Sequence, residues 1–559
     1  MFWSRRFPLS LLLALAIYLF LAITTVNGVG VVGEVSSTWA LDVPPRVLIG
    51  WEDGAAIWAD GSQSGPFIAS QVRPLERLDF GAFQLPLAVN QYTGALPDWP
   101  SKLVYGLTGS LSLVQGLHVF MGGALLFLMH RFLRFHGTDI AAAVAALVLA
   151  SDWNFLFYRK VLGGTEVLLQ AAGLLVLWAI WSRRWGGGKH GETAIAVGVG
   201  LGFLAKATFL PTVVAFGLVL LATRKDRPTV RPPSRPRPLW MLGIVLLLTA
   251  PLWITWIHHG FGLNDVPRIR SHDYLGLQTD RAWQGLFQQG PSRESATSLW
   301  SFFSTPFPWL EGAYQTSPSP SRIPWRTLAL AIPVAGSILA WRDRSESKPR
   351  ALLRFMSLFV PLQVLFLWLA NKDLHHLSQA TVPMAIWIGL ATDRLTALVT
   401  PPRSPKRALY SLIACLPWVI GGTQSLQRTD PALATTPIHT FTKSGQTALA
   451  ELIQSSGVSS LWASDYDLSG MLEIHLPNVR ISHGWGDVSQ RGRDALPDLL
   501  NAAKGAHFLT VRPSAPMIYN LRPKRAELEE IGASLGIVIE PIASLEDGEG
   551  PWAELYSLR

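Results

Sequence analysis

Glu52 and Asp53 stand side by side between two apolar stretches, VLIGW before them and, past Gly54, AAIW after. An apolar setting partly strips water from a carboxylate and raises its pKa toward the range where a general base works, so this pair is the candidate base. The same part of the chain holds Glu34, Asp42, Asp60, Glu76, Asp79 and Asp98, which read mostly as solvated loop carboxylates. Further on, SDWNFLFYRKVLGGTEVLL places Tyr158, Arg159 and Lys160 together, with Glu166 one or two turns beyond. Adjacent cations can clasp a phosphate, and beside a membrane they can equally snorkel to lipid head groups. Lys206, which closes the glycine-rich GVGLGFLAK, carries the same two readings. In NKDLHHLSQATVP, Lys372, His375 and His376 sit just before a proline-bearing apolar run. A histidine pair can relay protons, hydrogen-bond a sugar or bind a metal. Adjacent residues diverge on a helix, so hydrogen bonding or placement at the interface is the reading adopted and no metal site is assigned. His258 and His259 read as interfacial.

The elements that carry these groups follow from the apolar runs. The chain has 559 residues, 49% of them hydrophobic and only 15% charged, with a mean hydropathy of +0.27, which points to a membrane protein rather than a row of soluble domains. Its net charge of +9 and pI near 9.7 do not signal nucleic acid, because Lys and Arg fall in short clusters between apolar runs. Runs near 8–32, 109–129, 138–156, 163–181, 193–205, 207–222, 239–258, 327–341, 352–370, 380–398 and 409–421 are candidates to cross the bilayer. Judged against the ~20 residues that span hydrocarbon, they make a polytopic α-helical membrane protein of about eleven transmembrane helices. The first run is too long for a signal-peptide core and reads as a retained helix.

With Arg5 and Arg6 cytoplasmic, the loops HRFLRFHGTD, SRRWGGGKHGE, TRKDRPTVRPPSRPRP, WRDRSESKPR and PPRSPKR all fall on the cytoplasmic side, and every one is basic. The segment Thr193 to Arg224 has basic flanks at both ends, so it must cross an even number of times. It is expected to be a tight hairpin with Lys206 at its external tip and Pro211 opening the return helix. Residues 33–108, 259–326 and everything after about residue 425 then lie outside. The first two are rich in Trp, Tyr, Pro and Gly, as suits amphipathic segments in the interface.

The C-terminal part alternates helix-like TALAELIQSSG, LSGMLEIH, DALPDLLNAAKG and RPKRAELEEIGASLG with strand-like SSLWAS, NVRISH, AHFLTVRP, IVIEPIASL and WAELYSL, the pattern of a small α/β sheet. It has no Gly-x-Gly-x-x-Gly turn, so no nucleotide is assigned to it. The expected division is a transmembrane domain over 1–424 and a soluble extracytoplasmic α/β domain over 425–559. Cys415 is the single cysteine and lies in an apolar run, so there is no disulfide framework and no thiolate metal site.

Five places in the chain, WEDGA, QYTGALPDW, ASDWNFLFYRK, GVGLGFLAKATFLP and KDLHHLSQATVP, resemble the polyprenyl-phosphate-sugar-dependent glycosyltransferases of the GT-C superfold. The resemblance runs over roughly residues 8–400 and is greatest to the family 39 group, which includes protein O-mannosyltransferases and lipid A aminoarabinose transferases. It implies inverting transfer of a sugar from a lipid phosphate to a hydroxyl acceptor, which is a lipid, a glycan or a protein, outside the membrane. On this chain it makes Glu52 or Asp53 the base. Arg159, Lys160 and Lys206 offset charge on the leaving phosphate, and Tyr158, Lys372, His375 and His376 contact the donor or its sugar. The polyprenyl-phosphate sugar is the donor substrate, no cofactor is required, and a divalent metal is left open. The acidic pair reads Glu-Asp where Asp-Glu is commoner and lies far from the first helix, so Glu34 is a rival base. A secondary transporter and an inactive GT-C-like assembly or binding protein are the competing classes; no pair of matching broken helices in two repeats favours the former. The preferred location is a bacterial inner membrane.

Overall fold

The computed structural model describes residues 9–24, short strands between 48 and 88, 94–108, 110–152, 155–156, 164–185, 190–224, 238–258, 330–343, 347–371, 374–401, 404–435, 443–463, 472, 475–476, 478–483, 494, 496–511, 523, 525–548 and 550–559. Its helices, in chain order, are α1 (Leu9–Thr24), α2 (Trp99–Thr108), α3 (Leu111–His136), α4 (Asp139–Ala150), α5 (Gly164–Arg184), α6 (Gly191–Ala205), α7 (Leu210–Ala222), α8 (Pro238–Leu248) and α9 (Ala250–His258). They continue with α10 (Ala331–Arg342), α11 (Lys348–Asn371), α12 (Thr381–Val399) and α13 (Pro405–Thr435). A helix lies in each apolar run expected to cross. Among the described residues four are long and apolar enough to do so by themselves: Ser112–His136, Glu166–Arg184, Lys348–Leu367 and Leu377–Val399. The run 239–258 is broken at Thr249 into α8 and α9, because Pro251 lacks an amide hydrogen and its ring crowds the preceding turn.

Lipid gives helices no hydrophobic drive to associate, so they are held by close approach of small residues and by polar contacts. The central helix α12 shows the first device. A Cβ added at Gly389 would sit 2.4 Å from the Ala141 carbonyl of the alanine-rich α4. On another side, a Cβ at Gly336 of α10 would meet Ala391 at 2.6 Å.

The basic loops show the second device. Asp393 of α12 accepts from Arg407 at 2.8 Å and from Thr138 at 2.9 Å, while Asp343 takes both Arg350, at 2.6 Å, and Arg394, at 2.7 Å. Lys348 donates to the Phe135 carbonyl, and His136 meets Ser182. Arg183 pairs with Glu192 at 2.5 Å, and the adjacent Arg184 bonds Thr223 at 3.1 Å. Arg134, Phe135, His136, Thr138 and Asp139 therefore meet Ser182, Arg183, Arg184, Glu192, Thr223, Asp343, Lys348, Arg350, Asp393, Arg394 and Arg407 at one end of the bundle. Both ends of the 191–223 segment return to the same arginine pair, so the chain does reverse within it. The expected tight hairpin is nevertheless opened: α6 lies along α5, and α7 lies along α11.

The first expected external region contains strands rather than interfacial helices alone. Strands β1 (Leu48–Glu52), β2 (Ala55–Trp58) and β3 (Gln63–Ser64) form one antiparallel sheet, and β4 (Glu76–Asp79) with β5 (Gln84–Ala88) forms a second. The C-terminal strands are β6 (Ser460–Ala463), β7 (Arg480–His483), β8 (His507–Val511), β9 (Ile539–Asp547) and β10 (Gly550–Leu558), in the order β7-β6-β8-β10-β9. Strand β6 is parallel to β7 and β8, and β10 is antiparallel to β8 and β9. Helix α14 (Lys443–Ser455) covers one face through Leu449 and Ile453. Helices α15 (Leu496–Ala502) and α16 (Arg525–Leu535) cover the other through Leu499, Leu500 and Leu528. Two of these helices stop at glycines in the left-handed region, Gly457 and Gly536, where Val458 and Ile537 donate back to Ile453 and Gly532 and close Schellman turns.

Candidate active site

Lys206 is the residue at which α6 ends. Its backbone turns extended, its amide donates to the Gly202 carbonyl at 3.0 Å, and its own carbonyl accepts from Phe209 at 3.0 Å, which closes a 3-10 turn over Ala207–Phe209. The glycines before it are demanded by contact. A Cβ at Gly202 would lie 2.2 Å from the Phe209 ring, and one at Gly198 would lie 2.7 Å from Val176 of α5. The stretch QYTGALPDW closes on the same place: a Cβ at Gly94 would overlap the Leu204 carbonyl at 1.9 Å, and the buried Ala95 donates to Leu87 of β5. Two sequence motifs about a hundred residues apart thus meet at the end of α6, consistent with the small residues both carry.

A third motif joins them through buried polar side chains. The segment Leu374–Ala380, which carries His375 and His376, is a 3-10 helix leading into α12. Ser378 in it donates to the Glu166 carboxylate of α5, and Gln170, one turn along α5, donates to the Ser378 carbonyl at 2.6 Å and to Thr381 at 2.9 Å. Gln379 donates to the Oγ1 of Thr208 at 3.3 Å and accepts from Thr212 of α7 at 3.3 Å. Gln363 of α11 donates to Thr212 at 3.1 Å. Glu166, Gln170, Gln363, Ser378 and Gln379 are all at most 3% exposed, and the surroundings are apolar, with Phe216 stacked on Phe359 at 4.1 Å. A cavity with room for about one water lies against Gln170, Thr212, Gln363 and Gln379.

Glu52 ends β1 opposite Ala55, in a strand as its apolar neighbours imply. Asp53, Tyr158, Arg159, Lys160, Lys372 and the rival Glu34 lie outside the described residues, so of the proposed set only Lys206 and the turn bearing His375 and His376 are brought into one framework. Gln170, Thr208, Thr212, Gln363, Ser378 and Gln379 have no counterpart among the residues singled out in the sequence. Their signal there is faint: Glu166 and Gln170 are four apart on one helix face, and SQAT interrupts an apolar context. Among the described residues no three His, Cys, Asp or Glu side chains group as a metal site.

No family profile and no curated protein matches this sequence. Solved structures do. ArnT from Cupriavidus metallidurans bound to undecaprenyl phosphate is similar at a TM-score of 0.55 and 13% identity, over 98% of this chain and 97% of that one. The chain has the GT-C fold. The archaeal oligosaccharyltransferase AglB from Archaeoglobus fulgidus, in complex with an inhibitory peptide and a dolichol-phosphate, is similar at a TM-score of 0.50 and 10% identity, over 90% of this chain and 69% of that one. The same enzyme tethered with an acceptor peptide gives 0.51 and 11%, over 95% and 68%. With its apolar helices and this fold, the chain is an integral membrane protein.

Proposed function

We propose that this protein is a membrane glycosyltransferase that moves a sugar from a polyprenyl-phosphate carrier to an extracytoplasmic hydroxyl. The observation that carries the reading is the joining of the Lys206 turn to the His375–His376 turn, by side chains of α5, α7 and α11, in a fold shared with proteins bound to undecaprenyl phosphate and dolichol-phosphate. Glu52 or Asp53 takes the proton of the acceptor hydroxyl as its oxygen attacks the anomeric carbon from the face opposite the phosphate. The bond from that carbon to the phosphate oxygen breaks, the polyprenyl phosphate leaves with the electron pair, and the sugar stays on the acceptor with its anomeric configuration inverted. Lys206, Arg159 and Lys160 offset the charge that develops on the leaving phosphate, while Tyr158, Lys372, His375 and His376 hold the donor. The transferase part spans residues 1–424 in a bacterial inner membrane, with 425–559 outside it. In this reading that C-terminal part selects the acceptor.

The test is release of free polyprenyl phosphate by the purified protein in nanodiscs, given a panel of polyprenyl-phosphate sugars and a membrane extract as acceptor. Glu52→Gln and Asp53→Asn together should lower the rate at least ~100-fold with folding intact, the scale of a general base. No release from any donor by folded protein would overturn the reading in favour of transport or assembly, and full activity in the double amide would move the base to Glu34.

A further inference from the structure

Gln379 holds two irregular segments at once. Its side-chain amide donates to Thr208, two residues past Lys206, and its oxygen accepts from Thr212. Its backbone belongs to the 3-10 helix that carries His375 and His376, four and three residues earlier. Helix α5 braces that 3-10 helix through Glu166, which accepts from Ser378, and through Gln170. Short 3-10 segments hold their own geometry poorly. Amide and carboxylate groups buried among apolar side chains have at most a single water to trade partners with, so few other arrangements compete with this one. Stability alone would be served as well by apolar residues of similar volume at these positions; what the polar set adds is a fixed register between the segments it joins.

We propose that Gln379, braced by Glu166 through Ser378, is a positioning residue that sets Lys206 against the His375–His376 turn, and so the span available to a lipid phosphate and its sugar. The proposal rests on the reading under Proposed function. It is tested with the full-length protein in nanodiscs and undecaprenyl phosphate as the probe, measuring its affinity and the thermal midpoint in wild type, Gln379→Leu, Lys206→Met and the double variant. Ser337→Ala, which removes a buried hydrogen bond to Trp387 elsewhere in the bundle, serves as the measure of a purely structural loss. Gln379→Leu should weaken binding about tenfold, the scale of one lost hydrogen bond. In the Lys206→Met background the same change should cost less than about twofold, because both act on one contact. Gln379→Glu keeps the volume and an acceptor for Thr212 but has no amide hydrogen for Thr208; it should repeat the coupling if the leucine variant does not fold. Additive losses, unchanged affinity in both Gln379 variants, or an equal loss in Ser337→Ala would overturn the proposal. Wild-type protein that binds no undecaprenyl phosphate would instead overturn the functional reading on which it rests.

Discussion

A lysine that terminates a helix in extended backbone is placed by the chain as much as by its own rotamer. Lys206 is held this way, with its amide on Gly202 and its carbonyl on Phe209. Arginine would bring a planar fork to such a place; lysine brings a compact charge suited to a single phosphate oxygen. Lys206→Met should therefore raise the KM for the lipid-phosphate donor more than the KM for the acceptor. Steady-state kinetics with each substrate varied in turn would check this, and an unaltered donor dependence would remove Lys206 from the site. Sequence spacing puts Glu166 one or two turns beyond Arg159 and Lys160; in the structure it accepts from Ser378 across the bundle.

At the scale of elements, the approach of α6 to the turn that follows it depends on one missing methyl group. Gly202→Ala would push a Cβ to within 2.2 Å of the Phe209 ring, which is only 1% exposed and has little space to yield. The expected cost is about 1–3 kcal/mol of stability together with weaker donor use, whereas Gly217→Ala, whose added Cβ meets nothing within 4 Å, should be nearly neutral in both. Thermal unfolding in detergent beside donor kinetics would separate the two. The glycine spacing in GVGLGF made this close packing legible, and the strands and helices after residue 443 were legible in their alternation, because both are periodic signals confined to one stretch of chain. The polar network was not legible. Gln170 and Ser378 are 208 residues apart, and nothing local to SQAT says which helix face will meet it. The division of α7 from α6 was visible in Pro211, but the partner each helix takes, α11 and α5, is decided by tertiary packing.

Across the whole molecule, one end is tied by charge. Asp393 is the most enclosed of the acids there, and its side chain and that of Arg407 are only 9% and 12% exposed. Asp393→Ala would leave a buried guanidinium without its counterion, at a cost of about 3–5 kcal/mol, while Arg134, paired with an Asp139 that is 77% exposed, should tolerate loss of its partner with little effect. Yield of monodisperse protein and its unfolding midpoint would read the difference; equal behaviour of the two variants would show that the Asp393 pair does not hold the helix ends together.

The same end carries Arg134, Arg183, Arg184, Lys348, Arg350, Arg394 and Arg407 against Asp139, Glu192, Asp343 and Asp393. In a membrane whose potential is negative on that side, turning the protein over would drag this surplus of cations against the field. The electrical work is about 2.3 kcal/mol per elementary charge for each 100 mV, before any cost of dehydrating the charges. An energised membrane of that polarity thus biases insertion toward the one orientation that leaves this end on the negative side.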